Sequence, residues 1–159
     1  MPMLNLSNKI PSFKADDRGS AVVEFALMTP FLLLLFGGLK EYGRAYFQAN
    51  AVEKGLRAAT LYAARVEMPL RASDITIAEN ILKTGSIDGS GAFLTSGWGK
   101  AGASYSITTS SYDLDGTAIP VVRMEANVPL DPLVPELMTF VGLAEFTITL
   151  SHEQAYVGL

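Results

Sequence analysis

The sequence predicts an α+β protein in which a long N-terminal transmembrane helix extends into an amphipathic helix and packs on a small antiparallel β-sheet. Three observations predict it. One apolar run fills residues 20–39, and a recurrence of apolar side chains at helical spacing continues from it to about Val66. The C-terminal half then carries three stretches with β character, one of them in clean two-residue alternation.

Composition narrows the function before any motif is read. The chain has 159 residues, enough for one modest domain with accessory segments. Hydrophobic residues make up 49% and charged residues 18%, with a mean hydropathy of +0.27, too apolar for a disordered chain and high for a plain soluble domain. A net charge of −4 leaves no basic surface for phosphates, so nucleic acid is not expected as a partner. Cysteine is absent, which removes disulfides, thiolate metal sites and cysteine nucleophiles together. With a single histidine, His152, and no G-x-S-x-G or metal-spaced cluster, no catalytic site, metal or cofactor is expected.

Ser20 to Leu39 reads SAVVEFALMTPFLLLLFGGL, bounded by Arg18 and Lys40. Twenty helical residues rise about 30 Å, the thickness of a bilayer core. Eleven of them are Leu, Val or Phe. Their combined insertion energy, on the order of −5 kcal/mol, exceeds the roughly +3 kcal/mol that one charged side chain costs at a helix centre. The segment is too long for a secretory signal, and the following KEYGRAYF offers no A-x-A cleavage site, so it is read as retained. Lysines and arginines lie on both sides, and charge counting alone does not set its orientation.

Inside this run an acidic residue, Glu24, follows Gly19-Ser20-Ala21-Val22-Val23 and precedes Phe25, with a leader containing Lys9, Lys14 and Arg18 ahead of the glycine. The pattern resembles the processing site of type IV prepilins and pseudopilins. From Gly19 to Arg65 the chain is similar to the TadE-like family of minor pseudopilins of the tight-adherence (Flp) pilus system. The elements that carry the resemblance are Glu24-Phe25-Ala26-Leu27, Pro30, and the alanine-rich stretch Arg57-Ala58-Ala59 through Arg65. The resemblance implies a pilin-like architecture. It also implies cleavage of a leader, residues 1–19, between Gly19 and Ser20 by a prepilin peptidase, and a register and assembly role for Glu24 and Phe25. Other pilins or pseudopilins, the inner-membrane assembly platform and membrane lipid are then the partners, with the C-terminal domain on the periplasmic side of a bacterial inner membrane. The alternative from another class is an uncleaved, inner-membrane-anchored periplasmic binding or sensor domain.

The span (20–39) is followed by the amphipathic extension (40–68) and the α+β domain (69–159). Leu39, Tyr42, Tyr46, Ala49, Leu56, Ala59 and Ala63 share a helical stripe, while Lys40, Glu41, Arg44, Lys54, Arg57 and Arg65 fall on other faces. Tyr42, Tyr46 and Phe47 suit an interfacial belt or the face packed on the sheet, and the sheet is taken as their place. Met68-Pro69 should end the helix. Ser73-Asp74 can cap a short helix that carries Ile77, Ile81 and Leu82 and stops at Gly85. Residues 85–102 hold six glycines and read as a loop, without the spacing of a phosphate-binding loop.

Tyr105–Thr109 and Ile119–Val128 read as strands joined through an Asp115-Gly116 hairpin turn, and Pro120 should place its strand at an edge or start it late. Asp113-x-Asp115-Gly116 lacks the remaining ligands of a calcium loop and is read as turn chemistry. Val128–Pro135 is a proline-rich connector into a helical turn around Glu136–Val141. Glu145–His152 alternates, with Phe146, Ile148 and Leu150 on one face and His152 on the same side.

Overall fold

The computed structural model describes residues 19–143 and 145–158. The predicted leader, up to Arg18, lies outside the described residues. The chain divides into two compact units, one reaching to Gly37 and one running from Gly38 to the C-terminus. The fold is α+β: helix α1 (Ser20–Ala63), helix α2 (Ala72–Thr84), a 3₁₀ turn (Ser96–Gly99), strands β1 (Ser104–Leu114) and β2 (Thr117–Pro129), helix α3 (Pro135–Phe140) and strand β3 (Thr147–Ala155).

In the first unit α1 runs through Pro30 without a break. Pro30 has no N–H to give to the preceding turn, and on that turn the Thr29 hydroxyl donates to the Phe25 carbonyl at 2.7 Å. The apolar side chains of this part of α1 are exposed, and it is long and apolar enough to cross a membrane. It fits a single-pass membrane anchor.

In the second unit three antiparallel strands stand in the order β1-β2-β3. The β1–β2 turn is Asp115-Gly116, both at positive φ (52° and 82°), the two-residue turn whose twist matches its strands. Asp113 Oδ1 accepts a hydrogen bond from the Gly116 amide at 2.9 Å, so this carboxylate serves the turn. Val122, Met124, Ala126 and Val128 alternate along β2 and turn to one side. Met124, Ala126 and Val128 meet Val52, Leu56 and Ala59 of α1, Ala78, Ile81 and Leu82 of α2, and Trp98 in one core, while Val122 packs with Ala63 and Ala64. His152 stands opposite Met124, half-buried on that inner side. The outer face is polar, with Arg123 bridging Glu153 at 3.0 Å and Glu125 at 3.4 Å.

Four expectations need correcting. Pro120 lies in the central strand, where it pairs with Ser111. Counting outward from the two-residue turn, Ser111–Pro120 is a non-hydrogen-bonded pair, so β1 asks for no N–H there. On the other side β3 already ends opposite Val121, and the Tyr156 amide donates to the Pro120 carbonyl at 2.8 Å. Helix α2 starts before Ser73: Asp74 is its third residue and Oδ2 reaches back to the Arg71 amide at 3.2 Å, capping from within. Helix α1 closes at Ala63 rather than near Val66, and the Val157 amide takes up the Ala64 carbonyl at 3.0 Å.

The fourth correction concerns the face of α1. Tyr42 and Tyr46 are 73% and 60% exposed, and Leu39 and Phe47 are exposed as well. The buried stripe passes instead through Glu41, Gln48, Val52, Leu56, Ala59 and Ala63. At about 100° per residue, Tyr46 stands about a third of a turn away from it. Ala49, Leu56, Ala59 and Ala63 are on the inner side as expected. The nearer part of the stripe is wrong because polar side chains occupy it.

Candidate functional site

The residues singled out for processing and assembly all lie where α1 begins. Gly19 immediately precedes the first helical residue, and a Cβ added there would meet nothing within 4 Å. Among the described residues nothing makes a steric demand for glycine there. Ser20 opens the helix, and its hydroxyl donates to Glu24 Oε1 at 3.1 Å, one turn along. Phe25 is exposed beside it. The helix thus gathers Gly19, Ser20, Glu24 and Phe25 within its first two turns, with an apolar surface beyond that has no protein cover among the described residues.

Residues 19–61 match the family model described as TadE-like protein. The matched stretch is TadE-like. It opens on Gly19 and closes at Leu61, within α1. The match covers 43 of the 159 residues. No curated protein and no solved structure matches the chain.

A second cluster, missed in the sequence, holds the part of α1 that lies in the second unit to the rest of that unit. Glu41, Arg44 and Gln48 stand at helical spacing on α1 and all grip the connector after β2. Glu41, 3% exposed, accepts the Val134 amide on Oε1 at 2.5 Å. Gln48 Nε2 donates to the Asp131 carbonyl at 3.0 Å, while its Oε1 accepts the Asp131 amide at 3.2 Å. Arg44 donates through Nε to the same carbonyl and through Nη2 to Asp131 Oδ2 at 3.0 Å. Lys100 Nζ lies 2.6 Å from Oδ1, and the Ser96 hydroxyl donates to Oδ2 at 2.6 Å. At Asp131 and Val134 the connector lies outside strand and helix, and these side chains supply partners to its backbone there. The signal that could have found them is the i, i+3, i+7 spacing of Glu41, Arg44 and Gln48.

The hydrogen bonds and charges of Lys100, then Ser96 and Arg44, hold the Asp131 carboxyl down at about 2, below the usual aspartate range. Because the folded value is depressed, this group's contribution is fully present above the ordinary aspartate pKa of about 4, and is lost as pH falls from there through about 2. Asp131→Asn should therefore cost about 2 kcal/mol at neutral pH in urea unfolding, and should flatten the loss of stability between about pH 4 and 2. An unchanged acid limb in the variant would assign that loss to other carboxylates.

A third group lies where α2 meets β1. Glu79 accepts from Lys83 at 2.6 Å and from the Tyr105 hydroxyl at 2.7 Å, and burial, then this hydrogen bond and the Glu79 charge, push that phenol up to about 12. Lys83 also lies over the Trp98 ring, 5.8 Å from its centroid. This cluster closes the edge of the core. Among the described residues no three metal-ligating side chains come together.

Proposed function

We propose that the chain is a minor pseudopilin of a tight-adherence (Flp/type IVb-like) pilus system, made as a precursor and processed between Gly19 and Ser20. The observation that carries this reading is the family match opening on Gly19, five residues before Glu24, at the start of an apolar helix. Glycine at a site where the described residues leave open space suits a backbone that must enter a peptidase cleft. The Ser20–Glu24 hydrogen bond keeps the carboxylate within one turn of the nitrogen that cleavage would free. Its role is then to accept that α-amino group when apolar helices exchange lipid for one another, since an unpaired charge in such surroundings is costly. Phe25 belongs to the same packing surface.

On this reading the partners are the prepilin peptidase, other pilins or pseudopilins and the inner-membrane assembly platform. The second unit lies on the periplasmic side of the inner membrane, and the role is structural. Processing removes nineteen residues and leaves 140 of the 159. The leader carries three basic and two acidic residues, so the formal charge goes from −4 to about −5. Intact mass of the membrane-extracted protein should show a chain beginning at Ser20, and Gly19→Leu should abolish that form. A mature form persisting in Gly19→Leu would place the cleavage elsewhere. An intact leader in the wild type would favour an uncleaved anchored domain.

A further inference from the structure

The second unit carries an uncovered apolar surface at the residues that follow the span. Tyr42 and Phe47 come three and eight positions after Leu39 and, like Tyr46, are exposed. The bonds from Glu41 to Val134 and from Arg44 to Asp131 fix the approach to α3 beside these same turns. Beyond it Phe140 is 78% exposed, and Leu143 and Phe146 are exposed too. Phe146 lines an open groove together with Tyr42 and Tyr46. Side chains distant in sequence are thus gathered around the beginning of this unit.

Chain connectivity limits where they can lie. At 1.5 Å per residue along α1, the Tyr42 backbone is about 5 Å beyond the end of the span and that of Tyr46 about 10 Å, so the Tyr42 ring falls within the headgroup layer and the Tyr46 ring at its outer edge. The headgroup layer of a bilayer is roughly 5–8 Å deep on each side. Amphipathic rings belong there, with their apolar bodies toward the acyl chains and their hydroxyls toward water. Lys40, on the wall of a second groove that includes Phe47, suits lipid phosphates. Glu136 and Glu145 are exposed on either side of Phe140 and Leu143, which limits immersion to headgroup depth and keeps this surface out of the hydrocarbon.

We propose that this face of the second unit lies in the headgroup layer of the membrane that holds the span. The unit then rests on lipid through α3 and its flanking residues. The proposal rests on the single-pass anchor, and its test keeps the two apart.

The chain is free of cysteine, so single nitroxide labels can be placed on the full-length protein in phosphatidylethanolamine–phosphatidylglycerol nanodiscs holding one copy each. Labels go on Phe140→Cys and Leu143→Cys, on Leu33→Cys in the span, and on Leu114→Cys at the β1–β2 turn. Near-UV circular dichroism of Trp98 checks each fold. The label at 33 should lose access to a water-soluble nickel chelate and gain access to lipid-dissolved oxygen, 114 should show the reverse, and 140 and 143 should fall between the two. If 140 and 143 behave like 114 while 33 stays in lipid, the proposal is overturned and the anchor stands. A water-accessible label at 33 overturns the anchor and the proposal together. Protection at 140 and 143 found only in discs with two copies makes the face a contact between copies, and overturns the lipid assignment.

Discussion

A Gly55→Ala variant should melt about 8 °C below the parent, a loss of about 2 kcal/mol for the second unit. Gly55 lies where α1 crosses α2, and a Cβ there would run into the Leu82 backbone carbonyl and press on Leu94. A backbone oxygen in a helix cannot rotate aside as a side chain can, so relief requires α2 to move off α1. That movement opens the core formed by Leu56, Ala78, Leu82 and Met124, all of them at most 1% exposed. Overpacking of this kind costs roughly 1–3 kcal/mol, and contact with backbone puts it at the top of that range. Alanine's helix propensity returns about 1 kcal/mol, which leaves the net figure. Gly43→Ala is the control, because a Cβ there meets nothing within 4 Å and only the propensity gain remains. Gly55→Leu, which must place a whole side chain in the same crossing, should lose its cooperative transition. The measurement is thermal unfolding followed at Trp98, and equal melting temperatures for the two alanine variants would remove the close crossing from the account.

The parts of this fold that were legible in the sequence are those specified locally. Twenty apolar residues, a two-residue turn and an alternating strand each state their structure within a short window: the apolar helix and the Asp115-Gly116 hairpin stand where expected, and β3 runs two to three residues further on, leaving Phe146 just ahead of it. The distal part of the α1 stripe was legible for the same reason, since Leu56, Ala59 and Ala63 meet apolar partners. What was hidden depends on pairs far apart in the chain. Glu41 looks like a solvated residue until Val134, ninety-three positions away, supplies its donor. Tyr42 and Tyr46 look like core until that polar stripe takes the inward side. Pro120 signals an edge only if its N–H is needed, and the register set by the turn removes the need. Trp98 sits in a stretch with the composition of a loop, yet a single 3₁₀ turn is enough to bury its ring. At the N-terminal site the residue types and their spacing were legible. The one-turn reach from Ser20 to Glu24 follows directly from helical geometry.

Glu24→Leu separates the assembly role from plain anchoring, because the two predict opposite signs. For an anchor the change helps: it removes the one ionisable side chain from residues 20–39 and strengthens insertion. For a pseudopilin it leaves the α-amino group freed at Ser20 without its acceptor once apolar helices pack. Removing one partner of a charge pair in such surroundings costs about 3–5 kcal/mol, which is more than about a hundredfold in an assembly equilibrium. Processing should survive, since Gly19 and the leader ahead of it are untouched. The expected result is a normal Ser20 N-terminus in membrane fractions together with a collapse of surface pilus yield and of co-purification with other pilins. Reading both quantities on the same cells matters. Lost processing would shift Glu24 to peptidase recognition, whereas normal processing with normal pilus yield would leave the carboxylate without an assembly role and favour an anchored domain that never joins a helix bundle.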